Sequence, residues 1–260
     1  MALFSKQTPF QKERAALKKR EQAFLAARME KQDTALNRKL TEVIPPTLQS
    51  TLDTAFFKAF QLIFEKGTGA IELTYRRKKL EQASRENQAV YYKSRSGASI
   101  RAVSRGASAS GAAGILFSGT SGIGMGLMGV GIPDIPIFTA SVLRTVYEIA
   151  LKHGCDYDSE EERYFILLLI QGAVSYGDTI RQADRQINQF IRDKALPEGY
   201  SREAQIKKTA AALSKELLYM KFLQGVPLVG VVGGVYNVVY MKQITTYAKI
   251  KYQRRFLFPS

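Results

Sequence analysis

The chain has one histidine, one cysteine and no tryptophan in 260 residues. A lone cysteine excludes an intramolecular disulfide framework, and a lone histidine beside it leaves too few nitrogen and sulfur ligands for a zinc site built from one chain. Acidic charge is scarce at both ends. Residues 1–105 carry 21 basic against 10 acidic side chains, residues 134–221 carry 12 against 13, and residues 222–260 carry 5 against none, for a net charge of +15. Residues 1–10 lack the apolar run and small-residue cleavage site of a secretory signal, so the expected address of the N-terminus is the cytosol.

With 45% hydrophobic and 23% charged residues, the composition is that of a globular protein able to bury a core, not of a disordered chain or a transporter with many spans. The basic excess suits an anionic partner. Phosphate backbones and anionic bilayers both attract Lys and Arg, and the uncharged stretches beside the basic blocks favour a membrane surface or lipid over nucleic acid.

Helical periodicity dominates. From Pro9 to Leu40, Phe10, Leu17, Phe24, Leu25, Met29, Leu36 and Leu40 make a thin apolar stripe on an otherwise cationic helix, fit either for lipid headgroups or for packing on the rest of the chain. Val43-Ile44-Pro45-Pro46 breaks it and divides a basic N-terminal helical extension, 1–44, from an all-helical domain, 45–260. Leu48, Leu52, Phe56, Phe60, Ile63 and Phe64 predict a second, core-facing helix that stops at Gly67. Residues 70–93 read as one charged helix carrying Arg76-Arg77-Lys78-Lys79.

Between Arg105 and Asp134 lie 28 consecutive uncharged residues, long enough to cross a bilayer as a helix but rich in glycine and serine. Every fourth residue from Ser94 is small: Ala98, Ala102, Gly106, Ser110, Gly114, Ser118, Gly122 and Gly126 follow it. On a helix, such a row lets a second backbone approach closely. The expected partner is the uncharged tract Phe222–Met241, where Gly230 and Gly234 repeat the spacing. The pair would pack as a hairpin in a membrane or as the core of a soluble helical domain; the basic flanks Arg101, Arg105, Lys242 and Lys249 lean toward the first, with those flanks cytoplasmic. Gly122-Ile123-Gly124-Met125-Gly126 is no nucleotide loop, because no strand precedes it and no Gly-Lys-Ser/Thr follows. No cofactor is expected.

Asp134 opens a further helix on which Ser141, Thr145 and Glu148 share a polar stripe, with Arg144 one turn from Glu148. Ser159 and Glu162 have the spacing of a capping box ahead of the apolar run Phe165–Ile170. His153 and Cys155 sit too close together in one loop for base-to-thiol geometry. Helices are also expected near 178–194 and over 202–223, and the C-terminal Lys249, Lys251, Arg254 and Arg255, interleaved with Tyr252, Phe256 and Phe258, suit an interface.

The segments from Ile132 to Ile170 and from Gly225 to Phe256 resemble the EcsC protein family of bacteria. The matching features are Asp134 between prolines, Arg144, Glu148, Gly154, Asp156, Glu161 or Glu162 with Arg163, then Pro227, Gly230, Gly234 and Asn237; His153 replaces the family's usual aromatic residue. The resemblance implies a mostly helical protein, in some bacteria encoded beside an ABC transporter, with no defined catalytic residues. Asp134, Arg144, Glu148, Asp156 and Asn237 are then the candidate polar cluster. The expected protein is non-enzymatic and membrane-associated, peripheral or hairpin-inserted on the cytoplasmic side of the cell membrane. Its partners would be an anionic lipid surface and a membrane protein, in a transporter or envelope process. The alternative is a cytoplasmic enzyme or small-ligand-binding protein with an apolar cavity between the glycine helices.

Overall fold

A computed structural model describes residues 7–29, 45–66, 69–105, 134–223 and 235–259. Among them every regular element is a helix: α1 (Pro9–Met29), α2 (Pro46–Lys66), α3 (Gly69–Glu72), α4 (Arg77–Ser94), α5 (Gly97–Arg105), α6 (Asp134–Lys152), α7 (Glu160–Val174), α8 (Gly177–Asp193), α9 (Arg202–Leu223) and α10 (Val235–Leu257).

Helix α7 is the centre. Its N-terminus is capped by Ser159 Oγ, which accepts from the Glu162 amide at 3.1 Å, and the acids of its first turn suit the positive end of the helix dipole. Phe165–Ile170 are all buried, because α8, α9 and α10 cover this helix on different sides. Gly172 permits the closest approach: a Cβ there would stand 2.9 Å from the Tyr247 ring of α10.

Long-range contacts give each helix a direction. α1 runs antiparallel to α10, with Arg14 Nε donating to the Leu257 carbonyl at 2.8 Å, Arg20 to Gln253 Oε1 at 3.0 Å, and the Phe24 and Tyr247 rings stacked at 4.7 Å. α2 runs antiparallel to α9, where Gln49 donates to Ser214 Oγ at 2.7 Å and Lys207 lies over the Phe57 ring. At one end of the bundle, Arg28 of α1 donates to the Ala173 carbonyl at 3.2 Å and Tyr240 of α10 to the Glu216 carbonyl at 2.9 Å. That end therefore gathers the C-termini of α1, α7 and α9 and the N-termini of α2, α6, α8 and α10.

The opposite end is crossed by α4. Ser84 Oγ donates to the Lys152 carbonyl at 3.1 Å, Gln88 to that of His153 at 3.3 Å, and the Tyr91 ring meets Phe256 edge-on at 5.0 Å, so α4 spans the C-termini of α6 and α10. Gly154 turns the chain beneath it at φ +74, and the side chain of Gln88 occupies the space a Cβ would need.

Two local expectations are corrected here. The charged helix over 70–93 is two helices, α3 and α4, separated by a turn in which Thr74 Oγ1 donates to the Ile71 carbonyl at 2.5 Å. Tyr75 leaves the helical path in this turn and bonds Tyr157 at 2.6 Å. The every-fourth row of small residues is broken at its start. Arg95 adopts a left-handed conformation (φ 45) after Ser94, and Ser96 Oγ then accepts from the Ser99 amide at 3.1 Å to start α5. Serine is a better cap than a mid-helix residue, and that preference wins over the row. Helix α1 ends its described course at Met29, and residues 30–44 lie outside the described residues, as do 106–133 and 224–234. Gly106, Ser110, Gly114, Ser118, Gly122, Gly126, Gly230 and Gly234 fall in these stretches.

Candidate functional site

Helix α6 holds the first candidates. Arg144 Nε donates to Glu148 Oε1 at 3.0 Å, one turn along the same helix, and Glu148 is buried. Lys152, one turn further, is also buried; burial lowers its pKa and Glu148 opposes that. Thr145 returns its hydroxyl to the Ser141 carbonyl at 2.9 Å. Asp156 is not part of this group. It lies exposed at the α4 end, where Arg77 donates to it at 3.1 Å. Asp134 and Asn237 stand in the first turns of α6 and α10, and their side chains lie outside the described residues.

Arg77 is a hub that periodicity gives no reason to single out. Besides Asp156, its guanidinium reaches Glu72 at 2.9 Å, Glu81 at 2.8 Å and Asp158 at 2.8 Å, and it rests 4.6 Å over the Tyr157 ring. Burial works to lower its pKa, and the hydrogen bonds it donates to Glu81 and Asp158 overcome this and raise it. Tyr157 donates to Glu72 at 2.6 Å, Tyr75 donates to Tyr157, and burial pushes Tyr75 up to about 12. The arrangement ties the α3–α4 turn to the loop between α6 and α7.

A second seam runs through the interior between α1, α8 and α10. Lys251 is fully buried and pairs with Glu21 and, at 2.5 Å, with Asp184; Asn188 Oδ1 accepts from it at 3.0 Å. Tyr247 donates to Asp184 at 2.7 Å and Arg254 to Glu21 at 2.7 Å. Beside it, Glu162 is 3% exposed and accepts from Tyr252 at 2.6 Å and Arg255 at 2.5 Å. The capping box is thus half made: Ser159 caps, and the Glu162 carboxylate is spent on α10. The C-terminal cations expected at an interface are, for Lys251 and Arg255, internal partners of acids far away in sequence. That distance is why no local pattern announced them.

The loop before α7 offers no activated nucleophile. His153 Nδ1 donates to the Ile149 carbonyl at 2.9 Å, its ring stacks on Tyr252, and burial lowers its pKa to about 4. Burial pushes the Cys155 thiol up to about 12. A thiol held protonated beside a neutral imidazole that faces a carbonyl is inert. Among the described residues no group of three or more His, Cys, Asp or Glu side chains is placed to hold a metal ion.

What remains is the end of the bundle where α9 stops and α6 and α10 begin. Helix α9 leaves it at Leu223 and α10 re-enters it at Val235, on either side of 224–234. Helix α6 starts there after 106–133. Helix α5 points toward it, because Gly97 packs on Pro9 and Arg101 pairs with Glu13 at 2.9 Å, which aligns α5 with the first turns of α1. Ile137 and Val239, 37% and 36% exposed, are two of the large apolar side chains left uncovered, and they sit in the first turns of α6 and α10. Of the described acids near this end, Glu216 is buried and Asp178 takes Arg181 at 3.2 Å. No helix among the described residues is long and apolar enough to cross a membrane.

No curated protein and no solved structure matches the chain. The model of the EcsC protein family matches it over residues 10–257, from the second residue of α1 to the last of α10, and a match of that extent makes the chain a member of the EcsC family.

Proposed function

We propose that this protein is non-enzymatic and works at a membrane on its cytoplasmic side, attached through the end of the bundle from which the two uncharged tracts depart. The observation that carries this reading is the shared end: α6 begins where the tract 106–133 stops, and α9 and α10 flank 224–234, on one side of the domain. Exposed Ile137 and Val239 flank the points of return, and Lys215 and Lys242 are exposed on the neighbouring turns. Cations near an anionic surface contribute about 1 kcal/mol each. Service to an ABC transporter or another envelope process rests on the family resemblance alone.

Cell fractionation tests the attachment. Membrane fractions washed with high salt and then with alkaline carbonate should retain the protein if the tracts enter lipid. Release by salt would reduce the attachment to a peripheral one. Complete recovery in the soluble fraction at low salt would overturn the reading.

A further inference from the structure

Helix α4 has an inner and an outer side. Arg77, Glu81, Ser84, Gln88 and Tyr91 face the bundle; Lys78, Lys79, Arg85 and Lys93 face solvent, flanked by exposed Arg76 and Arg95. Among the described residues none of these six cations is in an ion pair. The acids cannot cancel them: Glu81 is turned inward onto Arg77 at 2.8 Å, which leaves Glu86 as the exposed carboxylate of the helix. Large apolar side chains interrupt this surface. Leu73 is 90% exposed, Tyr92 66% and Val90 55%. At 100° per residue, Lys93, Glu86, Lys79 and Val90 fall within about 60° of one another on the side opposite the bundle, and Lys78, Arg85 and Tyr92 make a second line along its edge.

We propose that this face docks on an anionic bilayer, with α4 lying in the plane of the headgroups. Three features select lipid. The helix crosses the end of the bundle instead of running along it, so its outer side can lie flat on a planar surface. Within the helix, three of the four outward cations, Lys78, Lys79 and Lys93, are lysines, which serve as point charges among headgroups. Val90 and Leu73 gain nothing from a phosphate backbone, whereas apolar side chains on a cationic helix enter the headgroup boundary. The face lies at the opposite end of the bundle from the first turns of α6 and α10 and does not depend on them.

The test places an environment-sensitive fluorophore at residue 90 (Val90→Cys in a Cys155→Ala background). Full-length protein is mixed with phosphatidylcholine vesicles, with and without phosphatidylglycerol. Emission should shift to the blue with phosphatidylglycerol at low salt, and high salt should reverse it. The exposed substitutions Lys78→Gln, Lys79→Gln, Arg85→Gln and Lys93→Gln, combined, should keep the helical circular dichroism and weaken the response by roughly several hundredfold, since each headgroup-level cation adds roughly fivefold. A silent residue 90, an equal response to neutral vesicles, an unchanged affinity in the quadruple variant, or a response to RNA without one to vesicles would overturn the inference. Carbonate-resistant attachment with a silent residue 90 would leave the tract-borne attachment standing and remove this face. A response at residue 90 with full release by carbonate would do the reverse.

Discussion

The ammonium group of Lys251 lies against the carboxylate of Glu21, 230 positions away in the chain, and neither the lysine nor the contact sees solvent. Two charges removed from water in this way stabilise only as a set. Breaking the set strands its remaining members.

Lys251→Met should therefore cost about 3–5 kcal/mol, because Glu21 and Asp184 lose their shared cation inside the protein. Glu21→Gln should cost less, since Asp184 still holds Lys251. Urea unfolding monitored by circular dichroism measures both. Combining Lys251→Met with Glu21→Leu should recover part of the loss, and strict additivity of the two would argue against direct coupling.

Acid should weaken the fold through His153. Its folded pKa, about 4, lies below the ordinary value of 6.5, so the unfolded chain binds the extra proton between the two. Stability conferred by the neutral ring is complete above pH 6.5 and is lost as pH falls toward 4; the full span is worth about 3 kcal/mol. His153→Phe, which keeps a ring against Tyr252, should flatten stability over that window relative to the parent. Parallel pH curves would refute the assignment.

Cys155 should resist alkylation. With its thiol pushed up to about 12, native protein at mildly alkaline pH should react with iodoacetamide at least tenfold more slowly than protein unfolded in urea. Mass spectrometry of the tryptic peptide measures the ratio.

Arg77→Ala should loosen the α3–α4 turn. Its four carboxylate partners are partly exposed, so each contact contributes well under 1 kcal/mol after screening, and the variant should lose about 1–3 kcal/mol in total. Cleavage by trypsin after Arg76 should accelerate in the same variant. Arg77→Lys should restore only part, because a single ammonium cannot reach four acceptors in different directions.

Helix ends were the most legible part of the sequence. Pro45 precedes α2 and Pro46 opens it, Gly154 follows α6 and Ser159 caps α7, since each signal is local. The buried charges were not legible. On α1, Leu17, Glu21, Phe24 and Arg28 form one buried face, so a stripe that looked thin in apolar residues is completed by a carboxylate and a guanidinium. Their partners on α7, α8 and α10 are brought near by the fold alone. The candidate cluster divided for the same reason: Arg144 and Glu148 share a helix turn, whereas Asp156 is drawn to Arg77 by a crossing helix that begins 79 positions earlier.

The length of α10 has a mechanical consequence. Its 23 residues rise by about 1.5 Å each, or roughly 35 Å from the first turn to the last. Helix α4 is held about that far from the first turns of α6 and α10, with the buried lysine and glutamate tying α10 to α1 between them. Removing whole turns from α1 and α10 together would bring the two ends of the bundle closer by about 5 Å per turn.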